Sequence, residues 1–171
     1  MIKKIPVKSF HDERGRLLKL YDENSNLTKN NDPWKICDLY LSSSSKNVVR
    51  GLHFQINGGG QEKIIHCISG EFLDVSIDLE PGENFGCVYI EHMTPDCDFL
   101  LSIPKSFAHG IVSLADYTSY LNMSPQPFNP ELERGINFSS LGLDIMPNDM
   151  IISEKDLSWP SLEKVLEEIA N

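Results

Sequence analysis

The sequence predicts an all-β domain, a barrel or sandwich, closed by one C-terminal helix. Three observations carry this. Short apolar runs recur between turn signals at 36–41, 48–55, 63–68, 72–79, 86–91, 99–103, 110–114 and 118–123, the spacing of a many-stranded antiparallel fold. Several runs alternate: in "EFLDVSIDL" Leu73, Val75 and Ile77 face one way, and Asp74, Ser76 and Asp78 the other. Only "SWPSLEKVLEEIAN" has helical spacing, with Ser158 or Ser161 as cap and Leu162, Val165, Leu166 and Ile169 on one face.

Between these elements lie turns. "LSSSSKN" is a polar loop, "NGGGQ" a flexible turn, and "SPQPFNP" forbids a long helix at 124–130. There is no internal repeat, and 171 residues fit one domain with a sizeable core. The formal net charge of −10 argues against a broad basic surface for nucleic acid. It leaves room for a small anionic ligand, because a few local arginines outweigh a global surplus. No run is long enough to span a bilayer, and "MIKKIPVKSF" lacks the apolar core of a signal peptide. Cys37, Cys67, Cys87 and Cys97 show no CxxC spacing. Together these features predict reduced thiols in a cytoplasmic protein.

The candidate chemistry is concentrated in "VVRGLHFQINGGGQEKIIHCISGEF". A two-residue period puts Val49, Gly51 and Gln55 on the face of His53, and Leu52 and Phe54 on the other. In a barrel that less apolar face is a candidate lumen. Lys63 opens the next strand, and His66 lies out of phase with it. His109 follows a proline turn in "IPKSFAHG", while Arg14 and Arg50 each precede a glycine. Taken singly, each has an ordinary explanation: a hydrogen-bonded structural histidine, a solvated lysine, a surface arginine. A metal is not expected. Gln55 stands where a metal-binding β-barrel has its second histidine, and His53 with His109 makes a poor ligand set. No other cofactor is expected.

In combination the stretches "FHDERG", "NVVRGLHFQ", "QEKIIHCISGEFLDVSIDLE", "LLSIPKSFAHGIVSLADYTSYL" and "GLDIMP" resemble the dTDP-4-dehydrorhamnose 3,5-epimerase family over roughly 8–147, and "ISEKD" extends the likeness. The resemblance implies a single cupin-type β-jelly roll over 1–171, with its core at 8–147 and a helical extension at about 151–171. It also implies a homodimer and a nucleotide-linked 4-keto-6-deoxy sugar held inside the barrel. A ketone at C4 acidifies the hydrogens at C3 and C5. A base removes one, an enolate forms, and reprotonation from the opposite face inverts the carbon.

The resemblance assigns the base to His53 and the enolate-stabilising cation to Lys63. Phe10, Arg14 and Arg50 match positions that hold the nucleotide end. His109, Gln55 and Asn122 match pocket positions. Two departures stand out. The family's acid is a tyrosine where this chain has Asn122, which leaves Tyr120, two residues earlier on the same strand face, as the candidate donor. The carboxylate partner of the histidine is expected in a stretch that here reads "NFSS", with Ser140 in its place. The expected function is therefore epimerisation at C3, C5 or both, with altered proton delivery. A keto-sugar isomerase and a non-catalytic binding cupin are the alternatives.

Overall fold

The computed structural model describes residues 1–22 and 35–171. Among the described residues twelve strands run in order: β1 (Lys3–Pro6), β2 (Lys8–Asp12), β3 (Gly15–Lys19), β4 (Asp38–Ser44), β5 (Val49–Gln55), β6 (Lys63–Ser69), β7 (Phe72–Asp78), β8 (Val88–Met93), β9 (Phe99–Ile103), β10 (Phe107–Ser113), β11 (Thr118–Ser124) and β12 (Glu133–Gly135). Two helices follow, α1 (Glu154–Leu157) and α2 (Leu162–Ala170). One sheet has the order β1-β9-β6-β11-β4 and the facing sheet β12-β5-β10-β7-β8, while β2 and β3 form a separate hairpin. The named strand pairs are all antiparallel. This is the cupin-type jelly roll expected. No helix among the described residues is long and apolar enough to cross a membrane.

The alternation in β7 is the key to the layers. Its apolar face joins Val49, Leu52 and Val112 in a cluster outside the barrel, covered by Phe138 and Val165. Its other face is buried too: Phe72, Asp74 and Ser76 are all within 1 % of full burial. Phe72 packs with Ile65, Cys67, Leu101, Ile103, Phe107, Ile111 and Tyr120, drawn from both sheets, which fill the space between them. A third cluster of Ile64, Leu100 and Met123 lies under Ile5 and Val7. The barrel thus has apolar layers on both sides of its walls, and the polar groups buried on the inner face must find partners there.

The C-terminal helix forms where its spacing predicts. The Ser161 side chain caps it by accepting from the Lys164 N–H at 3.3 Å, and Val165 is 4 % exposed against the outer core. Burying such a side chain stabilises by roughly 1.5–3 kcal/mol, so the helix is held by its apolar face more than by propensity. The strands β1, β2, β3 and β12 lie outside the apolar runs read from sequence. They are short and largely exposed, so they carry little hydrophobic pattern.

Candidate active site

The period of β5 breaks at Gly51. His109 pairs with His53, but Ile111 pairs with Arg50, so three steps on β5 match two on β10. This is a bulge. It turns Arg50, rather than Val49, onto the face of His53, and Val49 packs in the outer core. That corrects the strict alternation expected from sequence. Gly51 sits at φ 96°, and a Cβ there would lie 2.6 Å from the His109 carbonyl oxygen and 2.9 Å from Gly110 Cα. Only glycine fits so close an approach at that φ.

The Gly51 N–H is taken by Asp156 Oδ2 at 3.2 Å, while Asp156 Oδ1 lies 2.7 Å from His53 Nε2. Asp156 is brought 103 residues along the chain by a stitched segment. Ile151 donates to the Asn47 carbonyl, Val49 donates to the Ile151 carbonyl, and Val48 bridges Ile151 in parallel. Ser153 then caps α1, accepting from the Asp156 N–H at 3.0 Å. Burial pushes the Asp156 carboxyl up. The hydrogen bonds and charge of His53, the Gly51 N–H and Ser153 outweigh it and hold the carboxyl below its usual value.

An ionised carboxylate only accepts, so His53 Nε2 carries the proton and Nδ1 keeps its lone pair. Glu133 Oε1 is 3.8 Å from Nδ1, in ion-pair range but too far for a hydrogen bond. The imidazole thus has one nitrogen anchored by Asp156 and the other 3.8 Å from a second carboxylate.

This corrects the expectation of a missing orienting carboxylate. Ser140 is exposed, and its hydroxyl donates to the Asn137 carbonyl and accepts from the Leu162 N–H. The carboxylate lies instead in "ISEKD". Its sequence signal is the cap pattern Ser153-x-x-Asp156 before a short helix, but no local pattern shows that the aspartate side chain crosses to β5. Glu133 was missed for the same reason. It sits on a three-residue strand, paired to Gln55, and forms an ion pair with Lys155.

Lys63 faces the lumen from the opposite sheet, in phase with Ile65 and Cys67. Burial pushes its ammonium down to about 8, against the opposing pull of Asp74 and Glu133. His109 Nε2 pairs with Asp74 Oδ2 at 2.7 Å, and the Ser76 hydroxyl donates to Asp74 Oδ1 at 3.0 Å. A cavity of about 560 Å³ opens beside His53. Its walls include Arg50, Tyr40, Ser42, Tyr120, Lys155 and Asp156, and its volume suits a drug-sized ligand. Arg50 is steadied by Ser44 Oγ at 2.9 Å and the Ser43 carbonyl at 3.0 Å.

Other expected positions are placed differently. Tyr120 lines the cavity but is 5 % exposed and packs on Phe72. Asn122 is buried, with its amide donating to the Tyr40 hydroxyl at 2.7 Å. Gln55 spends its amide on the Gly59 carbonyl and the Asn129 N–H, clipping two loops, so it is not free for a ligand. Phe10 and Arg14 lie apart from His53 on the β2–β3 hairpin, lining a cleft of about 400 Å³ where Arg14 pairs with Asp12. Among the described residues no group of three or more His, Cys, Asp or Glu side chains gathers as a metal site would.

A jelly roll whose cavity is walled by an anchored imidazole and an arginine, with a buried lysine on the facing sheet, has the make-up of a small-molecule cupin. Comparison with known proteins makes this specific. The sequence model described as dTDP-4-dehydrorhamnose 3,5-epimerase matches residues 2–164, and the chain belongs to that family. It is 31 % identical to the dTDP-4-dehydrorhamnose 3,5-epimerase of Salmonella typhimurium over 93 % of this chain and 89 % of the relative. The crystal structure of the enzyme from Sulfolobus tokodaii superposes with a TM-score of 0.84 at 34 % identity, covering 95 % of this chain and 91 % of that one. The dTDP-4-dehydrorhamnose 3-epimerase of Streptomyces niveus is 26 % identical over 85 % of this chain and 72 % of its own.

Proposed function

We propose that this protein epimerises a thymidine-diphosphate-linked 4-keto-6-deoxy sugar through an enolate, acting at C3 and, to a lesser extent, C5. The observation that carries the reading is the His53–Asp156 pair at 2.7 Å in the wall of a cavity. His53 Nδ1 takes the proton from carbon. The C–H electron pair moves into the ring, and charge develops on the C4 oxygen. Lys63 supplies the cation for that oxygen, and its low value is suited to a group that shares or releases a proton near neutrality. Asp156 holds the imidazole orientation, and Glu133 stabilises the imidazolium. Arg50 offers a fixed fork to a diphosphate oxygen.

The reading extends to assembly. The β2–β3 hairpin exposes Phe10 and Leu17, at 58 % and 60 %, beside Arg14. An unpaired arm of this kind fits a homodimer in which the hairpin closes the partner's cavity over the nucleotide. The four cysteines are free, which supports a reducing, cytoplasmic setting. The alternative of a non-catalytic binding cupin rested on the changes at the acid position, Asn122, and the carboxylate position, Ser140; Asp156 supplies a carboxylate.

The test is incubation with the dTDP-linked 4-keto-6-deoxy sugar in D₂O. Label at C3 with an inverted product is expected. A moved carbonyl would favour an isomerase, and saturable binding without label would favour a binding module.

A further inference from the structure

Inversion needs a donor on the face of the sugar opposite the base, and two walls of the cavity come from the two facing sheets, with the segment 151–156 as a third. His53 enters from β5, in the sheet that also holds β10 and β7. Two phenols enter from the facing sheet, Tyr120 on β11 and Tyr40 on the edge strand β4. We infer that Tyr40 is the proton donor of this enzyme, acting on the enolate from the wall opposite His53, with Asn122 as its positioning residue. The inference rests on the epimerase reading above.

Three observations separate Tyr40 from Tyr120. Tyr120 is 5 % exposed and packs on Phe72 with ring centroids 5.3 Å apart. It is a core side chain with one edge at the cavity. Tyr40 keeps 44 % of its surface, so a ligand can reach it. Its hydroxyl accepts from Asn122 Nδ2 at 2.7 Å, and the two residues are direct cross-strand partners. Because Asn122 supplies the hydrogen of that bond, the O–H of Tyr40 remains free to point at a ligand. The same amide hydrogen stabilises the phenolate left after donation.

The charges around it agree. Withdrawal from water raises the Tyr40 phenol above its usual value, and Tyr120 and Asp38 add to this; Asn122 and Arg50 pull the other way. The phenol is therefore protonated at neutral pH, and the groups touching it favour its anion once formed. In the step, the enolate π pair forms the new C–H bond with the Tyr40 proton. The O–H pair stays on the phenolate, and the C4 carbonyl is restored. Solvent then reprotonates Tyr40 and takes the proton held by His53, so substrate and product remain isomers.

The experiment measures two rates on the same dTDP-linked 4-keto-6-deoxy sugar in D₂O: deuterium wash-in to the unreacted isomer, which needs only the base, and formation of the inverted isomer, which needs the donor. In Tyr40→Phe the inversion rate should fall at least about a hundredfold with little change in KM, while wash-in persists. Tyr120→Phe should invert within about threefold of the unmodified protein. Asn122→Leu should lower inversion about tenfold and leave wash-in. Melting curves establish that each variant is folded. Inversion at the unmodified rate in Tyr40→Phe, or its loss in Tyr120→Phe instead, would overturn the assignment. So would loss of wash-in together with inversion in a folded Tyr40→Phe. If the unmodified protein shows neither rate, the epimerase reading itself fails, and this assignment falls with it.

Discussion

His53 and His109 are direct partners across β5 and β10, and each gives Nε2 to a carboxylate at 2.7 Å. Their surroundings differ. The His53 side chain is 32 % exposed and the His109 side chain 6 %. Asp74 comes from the adjacent strand and is fixed further by Ser76, so the His109 pair is closed on itself. Asp156 comes from a capped turn outside the barrel, and His53 lines a cavity, with its Nδ1 3.8 Å from Glu133. The same pair of residue types is closed in one place and, in the proposed reading, serves as a base in the other. What decides is whether the second imidazole nitrogen can be reached.

The largest expected effect falls on the open pair. His53→Asn should abolish deuterium exchange at the sugar, by about a thousandfold or more, with little change in melting temperature. His109→Asn should do the reverse, lowering stability by about 2 kcal/mol through an unpaired buried carboxylate while keeping exchange measurable. A comparison of rates and melting curves for the two variants checks this directly.

Next come the carboxylates. Asp156→Asn leaves the shape but removes the obligate acceptor, so exchange should fall about a hundredfold as the imidazole loses its fixed tautomer. Asp74→Asn should act mainly on stability, as measured by urea unfolding. The sign for acid follows from the Asp156 value. A carboxyl held below its usual value stabilises the fold above the unfolded value, and that contribution is lost as pH falls through the folded one.

Lys63 gives a smaller effect with a sharper signature. If its ammonium neutralises the enolate, kcat should fall as pH rises through about 8, where the ammonium is lost. Lys63→Met should remove that limb together with most of the rate. The stability contribution runs the other way. Between about 8 and the ordinary value of 10.5 the unfolded chain binds the extra proton, so this group makes the fold more stable as pH rises.

The smallest effects separate the ligand wall from the scaffold. Arg50→Lys should raise KM about tenfold with kcat nearly unchanged, because a point charge replaces a fork. Gln55→Ala should change KM by less than about threefold, since its amide is already bound to loops, and should instead lower the melting temperature by a few degrees.

Much of this was legible in the sequence because it is local. The alternation of β7 and the spacing of 162–170 marked their elements, since each buries a regular face. His53, Lys63 and Arg50 were found as chemistry-bearing residues by resemblance. The carboxylates were harder. Asp156 reaches His53 across 103 residues, and nothing near it in sequence encodes that contact. The bulge at Gly51 was equally hidden: it depends on the close approach of Gly110 and moves Arg50 onto the face a strict two-residue period gives to Val49. The hairpin carrying Phe10 and Arg14 shows the remaining limit, because its short exposed strands bury no regular face.

The central claim is that His53, steadied by Asp156, removes a proton from carbon next to a ketone. Proton NMR of the dTDP-linked 4-keto-6-deoxy sugar in D₂O follows that event at each carbon. With the unmodified protein the C3 resonance should disappear and the inverted isomer should grow in, while His53→Asn leaves the spectrum unchanged over the same interval. A C3 resonance that persists with the unmodified protein, or one that disappears equally fast with His53→Asn, would contradict the account.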